Sequence, residues 1–314
     1  MDINYEIAQL NWKREPYGLY EPIAYTLAAG GKRVRPQLAM IASELFGGKA
    51  EEIAPAAMAL EVFHNFTLLH DDVMDQAEVR RGRPTVHVKW NENTAILSGD
   101  QMLIEAYKLL SGVPADKLPT ILQLFNKMAT EICEGQQYDV DFESQEYVAL
   151  EEYLKMIRLK TAVLLATALK MGAYIAGANE EQQEMLYEFG INIGLAFQIQ
   201  DDILDVWGNP ETFGKAVGGD ISCNKKTYVY LEALEVKGER REELVKWYSQ
   251  TLADNKEKIA AVKEIFEQLG VRERCEEAVE QYTNQALYLL THLPQNQATD
   301  QLRQLASKLN TRKN

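Results

Sequence analysis

The chain has 314 residues, of which 46% are hydrophobic, and it carries 33 Lys and Arg against 47 Asp and Glu, for a formal net charge of −14. So acidic a chain excludes nucleic-acid binding through its bulk surface, which would require a basic face that releases counterions. The three cysteines lack metal-ligand spacing, the N-terminus lacks the features of a signal peptide, and the longest apolar run is shorter than a membrane span. We therefore expect a cytoplasmic protein without a transmembrane segment.

Apolar residues recur at helical spacing along almost the whole chain, and the alternating pattern of strands is scarce. The sequence therefore predicts an all-α fold. No linker interrupts the pattern, which predicts a single domain over residues 1–314. Glycine and proline mark the breaks between the helices. In chain order, the predicted helices cover residues 17–29, 35–46, 53–76, 93–110, 118–141, 150–176, 182–207, 227–236, 241–268 and 271–293.

One acidic motif, Asp-Asp-x-x-Asp, occurs twice, at residues 71–75 and 201–205, each time at the end of an apolar helical stretch. Residues four apart share one face of a helix, with Cβ atoms about 6 Å apart, so the first and last carboxylates of each motif are neighbours. Like charges at this spacing repel each other and require a positive partner. Carboxylate ligands favour Mg²⁺ or Mn²⁺ over Zn²⁺, so the two motifs predict a magnesium site.

Basic residues lie near both acidic motifs, which stands out in so acidic a chain. Magnesium usually binds through one or two carboxylates together with the phosphates of a substrate. Arginine and lysine are the side chains that bind phosphate oxygens, so the pattern predicts a phosphorylated substrate. The basic residues concerned are Lys32, Arg33, Arg35, Arg80, Arg81, Arg83, Lys215, Lys225 and Lys226.

A glycine-rich segment follows the second acidic motif. Residues 208–220 contain four glycines and one proline, and we interpret them as a mobile lid that carries Lys215 toward the site. Some of the other residues also have simpler interpretations. His64, on an apolar helix face, fits a satisfied core histidine; the glycines at 30–31 fit a helix C-cap; and Lys225 with Lys226 fits a solvated charge pair.

Several segments can be read in order between about residues 30 and 230. They are Gly30-Gly31-Lys32-Arg33-Val34-Arg35-Pro36, His64, the first acidic motif with Arg80-Arg81-Gly82-Arg83-Pro84-Thr85, Gly135-Gln136-Gln137-Tyr138-Asp139, Lys160-Thr161, Phe197-Gln198-Ile199-Gln200-Asp201-Asp202, and Lys215 to Lys225. Together they resemble the trans-isoprenyl diphosphate synthases, also called polyprenyl synthetases.

This resemblance implies a fold and a reaction. The fold would be a single large helical bundle of the isoprenoid synthase type around a central apolar cavity. An allylic diphosphate (dimethylallyl, geranyl or farnesyl) would ionise, and the double bond of isopentenyl diphosphate would attack the cation. Loss of a proton would then give an all-trans allylic diphosphate that is one isoprene unit longer.

The resemblance also implies roles for individual residues. Mg²⁺, at roughly three ions per active site and with Mn²⁺ as a substitute, would be bound by Asp71, Asp75 and Asp201, supported by Asp72, Asp139, Asp202 and Asp205. The allylic diphosphate would be held by Arg80, Lys160 and Lys215. Isopentenyl diphosphate would be held by Lys32, Arg35, His64 and Arg81. Thr161 and Gln198 would face the developing cation and, with Lys160, form the catalytic set, while Asp220 and Lys225 would close the lid side.

Product length depends on the residues that precede the first acidic motif, because in this family they form the floor of the product cavity. Phe66 would project a ring into the cavity, Thr67 is small, and Phe63 lies about one turn deeper. This arrangement resembles synthases of geranylgeranyl diphosphate, and farnesyl diphosphate is the alternative product.

Two other classes of protein remain as alternatives. A class I terpene cyclase shares the first acidic motif and the all-α fold, but its second metal motif is typically built from Asn, Ser or Thr, and Glu. A non-catalytic subunit of a heteromeric synthase generally loses its acidic motifs, and this chain has both. The resemblance further implies a homodimer.

Overall fold

The computed structural model describes residues 3–209, 217–250, 252 and 254–310. They form two compact units, one of residues 1–126 and 167–184 and the other of residues 127–166 and 185–314. Apart from one pair of two-residue strands, the regular elements of the described residues are helices, which confirms the all-α prediction. None of these helices is long and apolar enough to cross a membrane.

The first unit is built around one central helix, α4 (Ala50–Met74). Residues on every side of its middle turns are buried, so it is enclosed all round and not only along one stripe. It packs against the helices Val34–Leu45 and Glu92–Leu110. The other elements are α1 (Ile3–Gln9), α2 (Tyr17–Leu27), α3 (Val34–Leu45), the strands β1 (Val79–Arg80) and β2 (Arg83–Pro84), α5 (Val86–Lys89) and α6 (Glu92–Leu110).

Three helices contribute residues to both units: α7 (Leu118–Ser144), α9 (Val163–Ile175) and α10 (Glu180–Trp207). In the second unit, the helix Val271–Leu290 packs against the helices Tyr228–Leu234, Lys256–Gln268 and Gln297–Asn310. The elements confined to the second unit are α8 (Leu150–Ile157), a π-helical turn (Arg158–Ala162), α11 (Gly219–Ser222), α12 (Tyr228–Leu234), α13 (Glu239–Tyr248), α14 (Lys256–Gln268), α15 (Val271–Leu290) and α16 (Gln297–Asn310).

The predicted helix boundaries are wrong in several places. The helix predicted at 241–268 is two helices, because a turn closes after Tyr248, where the N–H of Gln250 donates to the carbonyl of Trp247 at 3.2 Å. The helix predicted at 150–176 is interrupted by the π-helical turn. The helix α1 was not predicted, and α16 lies in a segment that was expected to form packing helices but for which no bounds were predicted. The lid predicted at 208–220 lies partly outside the described residues, and Lys215 with it.

Candidate active site

A tight hairpin follows the first acidic motif and presents its arginines. Arg81 (φ 53°) and Gly82 (φ 72°) form the two-residue turn between β1 and β2, and positive φ at both positions defines the type I′ turn that suits the twist of a hairpin. The hydroxyl of Thr85 donates to the carbonyl of Ala77 at 2.6 Å, and that of Tyr25 donates to the carbonyl of Pro84 at 2.9 Å. The hairpin therefore holds Arg80 and Arg81 in fixed positions near the motif.

The first acidic motif is paired with one of these arginines. The Nε of Arg80 donates to Oδ1 of Asp72 at 2.6 Å, and its Nη2 lies 3.6 Å from Oδ2 of Asp71. Burial raises the pKa of Asp72, and Arg80 opposes that shift. The N–H of Asp75 donates to the carbonyl of Asp71 at 2.8 Å, which places these two residues one helical turn apart.

Cations are concentrated around His64, which is half-buried on α4. Burial and then the charges of Arg35, Arg81, Arg80 and Arg33 hold the pKa of His64 well below its usual range. Burial likewise lowers the pKa of Arg35 to about 10, opposed by Glu61. Cationic groups that lower one another's pKa in this way create a positive electrostatic potential, which a bound anion would neutralise. The structure thus brings together Arg35, His64 and Arg81, three of the residues predicted to bind isopentenyl diphosphate.

The loop at residues 30–33 lies directly against this cluster. A Cβ atom on Gly31 (φ +136°) would come within 3.1 Å of Cζ of Arg81, so this position requires glycine. The guanidinium of Arg81 donates to the carbonyl of Gly30. Lys32 is exposed on the same loop. The interpretation of these glycines as a helix C-cap is wrong, because α2 ends at Leu27 and its C-cap is Ala28; Gly31 instead leaves room for the arginine.

A row of aromatic rings runs along α4 below the first acidic motif. The ring of Phe66 lies 4.8 Å from that of His70 and 5.4 Å from that of Phe63. The row continues from Phe63 to Phe125 at 5.1 Å, and Thr67 donates its hydroxyl to the carbonyl of His64 at 2.8 Å. The predicted floor residues thus belong to one ring cluster with Phe63 fully buried.

A cavity in the second unit gathers most of the other predicted residues. Nine of its lining residues were singled out in the sequence: Asp139, Lys160, Thr161, Gln198, Asp201, Asp202, Asp205, Asp220 and Lys225. The lining is completed by Tyr153, Met156, Ile157 and Thr227. Residues separated by up to 88 positions in the sequence therefore meet at one site.

Close packing around the π-helical turn explains how they meet. The turn is marked by the N–H of Val163 donating to the carbonyl of Arg158, five residues back. A Cβ atom on Gly135 of α7 would lie 2.4 Å from the backbone nitrogen of Lys160, and one on Gly194 of α10 would lie 2.5 Å from Cα of Ala162. Side chains one turn beyond each glycine, Asp139 and Gln198, consequently face the turn.

Within the second acidic motif, Asp202 is held by neutral donors. Oδ2 of Asp202 accepts from the hydroxyl of Tyr153 at 2.5 Å and from the N–H of Tyr228 at 3.0 Å. Its Oδ1 accepts from Nε2 of Gln198 at 3.2 Å. Burial and then the charge of Asp220 raise the pKa of Asp202 to about 7, which these three donors oppose. Oδ2 of Asp205 accepts from the N–H of Asp220 at 3.1 Å.

Two lysines face Asp139 in the same cavity. Nζ of Lys160 lies 2.5 Å and Nζ of Lys225 lies 3.9 Å from Oδ2 of Asp139. Burial alone would raise the pKa of Asp139, but the two lysines lower it below its ordinary value. The hydroxyl of Thr161 donates to Oε1 of Gln198 at 3.3 Å. The interpretation of Lys225 and Lys226 as a solvated pair is wrong for Lys226, which donates to the carbonyl of Phe142 at 2.7 Å.

Sequence reasoning missed three residues of the two sites, and it missed the role of a fourth, Arg33, which it had named only as one of the basic residues near the acidic motifs. Tyr153 and Tyr228 hold Asp202, but an isolated tyrosine in a helical pattern gives no signal. Arg33 belongs to a motif that was recognised, and Glu61 is a carboxylate on the apolar face of α4, which is a signal that could have been used. Within the described residues, no group of three or more His, Cys, Asp or Glu side chains lies close enough to hold a metal ion.

The all-α fold, the two acidic motifs and the cationic cluster define a class of helical enzymes that bind phosphorylated substrates. Within that class, residues 16–269 match the family model described as polyprenyl synthetase. The chain therefore belongs to the polyprenyl synthetase family and is a prenyl diphosphate synthase, which confirms the resemblance.

Individual relatives agree with this assignment. The chain is 44% identical over 222 residues to a geranylgeranyl diphosphate synthase of Methanosarcina mazei, covering 70% of this chain and 68% of the relative. It is 38% identical over 294 residues to a short chain isoprenyl diphosphate synthase of Methanothermobacter thermautotrophicus, covering 93% of this chain and 89% of the relative.

Solved structures give the same result for the fold. A crystal structure of a geranylgeranyl pyrophosphate synthase matches with a TM-score of 0.93 and 47% identity, covering 99% of this chain and 96% of the other. The geranylgeranyl pyrophosphate synthetase from Pyrococcus horikoshii matches with a TM-score of 0.93 and 35% identity, covering 99% and 95%. The predicted isoprenoid synthase type of fold is confirmed.

Proposed function

We propose that this chain is a Mg²⁺-dependent geranylgeranyl diphosphate synthase, which adds isopentenyl diphosphate to dimethylallyl, geranyl or farnesyl diphosphate. The observation that carries the proposal is the cationic cluster around His64 next to the first acidic motif. Such a cluster suits a diphosphate that does not ionise, whereas a terpene cyclase has no second diphosphate to bind. The names of the relatives support the same product.

The two diphosphates would bind to different cations. Isopentenyl diphosphate would lie against Arg35, His64 and Arg81, with Lys32 at the exposed edge of the loop, because these groups gain most from an anion. The allylic diphosphate would be held by Arg80 and Lys160, and by Lys215, which lies outside the described residues. Arg80 already contacts Asp72 of the first acidic motif, and Lys160 already contacts Asp139 in the cavity of the second unit, so each of the two cations lies beside a carboxylate that is proposed to support magnesium.

The acidic motifs fit magnesium by the chemistry of their donors. Asp71, Asp75 and Asp201 would hold the ions through carboxylate oxygens, which are the ligands that magnesium prefers, together with oxygens of the substrate. Asp72 and Asp202 are engaged by Arg80 and Tyr153, which suits supporting roles. Magnesium, when bound, would stabilise the negative charge that develops on the leaving diphosphate.

Side chains of the cavity would stabilise the allylic cation and keep water away from it. The oxygens of Thr161 and Gln198, which already share a hydrogen bond, would present partial negative charge toward the allylic cation. The apolar residues Met156 and Ile157 line the same cavity and would exclude water that could quench the cation. Lys160 would stabilise the departing diphosphate as a fixed positive charge.

Product length would be set by the aromatic row on α4. A growing chain that reaches Phe66 would meet a ring backed by Phe63 and Phe125. Because this row is closed by a fully buried ring, it would stop chain growth, and the names of the relatives support a product of twenty carbons, with one isoprene unit fewer or more as the nearest alternatives. Some relatives are named geranylfarnesyl diphosphate synthases, which corresponds to the longer alternative.

A homodimer would cover an apolar stripe on α6. Ile96, Leu97, Ile104 and Tyr107 are large hydrophobic residues exposed on this helix, and the spacing of 97, 104 and 107 places them along one side of it. A second copy of the chain would bury this stripe. Light scattering of the wild type and of Leu97→Glu should give a dimer and a monomer, respectively, and a monomeric wild type would contradict the proposal.

The decisive test is incubation with labelled isopentenyl diphosphate and each allylic diphosphate in turn, with magnesium and with EDTA, followed by chain-length analysis. A magnesium-dependent product of twenty carbons is expected. A product of fifteen or twenty-five carbons would agree with the proposed prenyl transfer but contradict the proposed product length. No elongation with any primer would point to a cyclase or a partner subunit.

A further inference from the structure

Arg33 differs from the other cations of its loop because it is buried. Arg33 is only 7% exposed, whereas Lys32 is exposed and Arg35 is half-buried. Its Nη1 donates to Oε1 of Glu61 at 2.5 Å and its Nη2 donates to the carbonyl of Leu27 at 2.6 Å. The guanidinium thus joins the end of α2 to the middle of α4, and it faces the protein interior.

Glu61 is the buried carboxylate at the centre of these contacts. It is 2% exposed, and Asn65, one turn further along α4, is 0% exposed. Nδ2 of Asn65 donates both to the carbonyl of Glu61 at 2.8 Å and to Oε1 of Glu61 at 2.9 Å. Oε1 therefore accepts from two fixed donors, which holds the carboxylate in one orientation.

The backbone of Arg33 needs such an anchor. Its φ of 46° and ψ of 42° lie in the left-handed region, which is unfavourable for a residue with a Cβ atom and persists only where the surroundings enforce it. Arg33 stands between Lys32 and Arg35, so the conformation enforced at Arg33 decides where both neighbouring cations point. Among the described residues, the buried Nε of Arg35 has no hydrogen-bond partner, which leaves a donor available to a ligand.

We infer that Glu61, acting through Arg33 and steadied by Asn65, is a positioning residue that fixes the basic loop for the diphosphate of isopentenyl diphosphate. This inference rests on the proposed function, because it assumes that the cationic cluster binds that substrate. Glu61 itself would not touch the substrate. Its contribution is the geometry of the neighbouring cations.

For the removal of the Glu61 charge, the inference predicts the opposite change in substrate binding from the one that charge repulsion alone predicts. A carboxylate close to an anion site repels the anion, so removing its charge without any change of geometry would tighten substrate binding. If Glu61 instead holds the loop through Arg33, removing its charge breaks a buried ion pair and frees the loop, and substrate binding weakens.

The experiment compares Glu61→Gln with wild type by steady-state kinetics in both substrates. We expect the KM for isopentenyl diphosphate to rise about tenfold or more, as for the loss of a buried charge-assisted hydrogen bond, with the KM for farnesyl diphosphate nearly unchanged. The exposed Glu51 on the same helix supplies the matched control, and Glu51→Gln should leave both values as in wild type.

Arg33→Lys is the second variant, which decides the question if Glu61→Gln does not fold. It retains the charge, but one ammonium group cannot reach both Glu61 and the carbonyl of Leu27 as the guanidinium does, so the same selective rise is expected. A lower KM for isopentenyl diphosphate in Glu61→Gln, or an equal loss for both substrates, would overturn the inference. A wild type that does not use isopentenyl diphosphate would instead overturn the proposed function.

Discussion

The second aspartate of the first acidic motif, Asp72 at the end of α4, is paired with a cation, whereas its counterpart in the second motif, Asp202 within α10, is held by neutral donors. Burial raises the pKa of the middle aspartate in both. Arg80 compensates Asp72 with a full positive charge, while Asp202 relies on a hydroxyl, a backbone N–H and an amide. The same five-residue pattern is therefore stabilised in two ways: by an ion pair at Asp72 in the first motif, and by a rigid framework of neutral hydrogen bonds around Asp202 in the second.

The largest effect on activity is expected from a change that disturbs the rigid framework around the second acidic motif, which is called the second region below. In Gly135→Ala the new Cβ would lie 2.4 Å from the backbone nitrogen of Lys160, which would displace the π-helical turn and with it Lys160 and Thr161. We expect kcat to fall roughly a hundredfold, as for a misplaced catalytic group, and stability to fall by about 1–3 kcal/mol. Steady-state kinetics and chemical denaturation measure the two effects.

The matched control is Gly18→Ala, at a helical glycine where a Cβ atom would meet nothing within 4 Å. That variant should keep its activity and be as stable as wild type or slightly more stable. If Gly135→Ala were as active as Gly18→Ala, the second region would not depend on a rigid framework, and the comparison of the two motifs would fail.

Tyr153→Phe sharpens the comparison by removing one neutral donor from Asp202. The ring stays buried, but the carboxylate loses its shortest hydrogen bond, at 2.5 Å. At about pH 8.5, where Asp202 with its pKa of about 7 is ionised, the free energy of unfolding should fall by about 1.5–3 kcal/mol, the range for a hydrogen bond to a charged group. Urea denaturation of this variant is compared with that of Tyr147→Phe, whose side chain is exposed, and equal stability of the two would show that the hydroxyl contributes nothing.

Phe66→Ala tests the aromatic row that distinguishes the first region. Truncating the ring should lengthen the main product by about one isoprene unit, because the next barrier is Phe63 below it. Phe63→Ala is a poorer choice, since deleting a fully buried ring would destabilise the fold by about 3–5 kcal/mol. An unchanged distribution of chain lengths in Phe66→Ala would show that Phe66 is not the floor.

The smallest effect concerns pH and the first region. The pKa of His64 is lowered by burial and by arginines, so its stabilising contribution is complete above the unfolded value of about 6.5 and is lost as pH falls below that value, by at most about 1.4 kcal/mol per pH unit. Thermal unfolding between about pH 7.5 and 5 should show a steeper loss in wild type than in His64→Gln. Saturating inorganic pyrophosphate should reduce the difference between wild type and His64→Gln in how steeply stability falls with pH. If the two proteins lost stability equally steeply without pyrophosphate, the lowered pKa of His64 would not contribute to stability.

The second site could be predicted almost completely as a set of residues. Asp139, Lys160, Gln198 and Lys225 line the same cavity as the second acidic motif, and the resemblance had named all of them. The π-helical turn that aims Lys160 could not be predicted, because over five residues its apolar pattern is indistinguishable from that of an α-helix.

The first site was predicted less completely. The cations Arg35, Arg80 and Arg81 were recognised, but the ion pair of Arg33 with Glu61 joins residues 28 positions apart, and local pattern carries no information about such a contact. The break between α13 and α14 was missed for a different reason, since its polar residues are individually compatible with the surface of one long helix.

The π-helical turn at Arg158–Ala162 has a further consequence for insertions and deletions. Such a turn holds one residue more than the α-helix would, and each residue of an α-helix rotates the chain by about 100°. Deleting one residue within it would produce a regular α-helix with better hydrogen bonding. Because the wider turn absorbs the rotation of that additional residue, the same deletion would leave the α8 face that bears Tyr153 in nearly the same orientation relative to α9. Asp202 would keep its hydroxyl donor, and the gain in helix regularity would instead redirect Lys160 and Thr161, which lie within the turn.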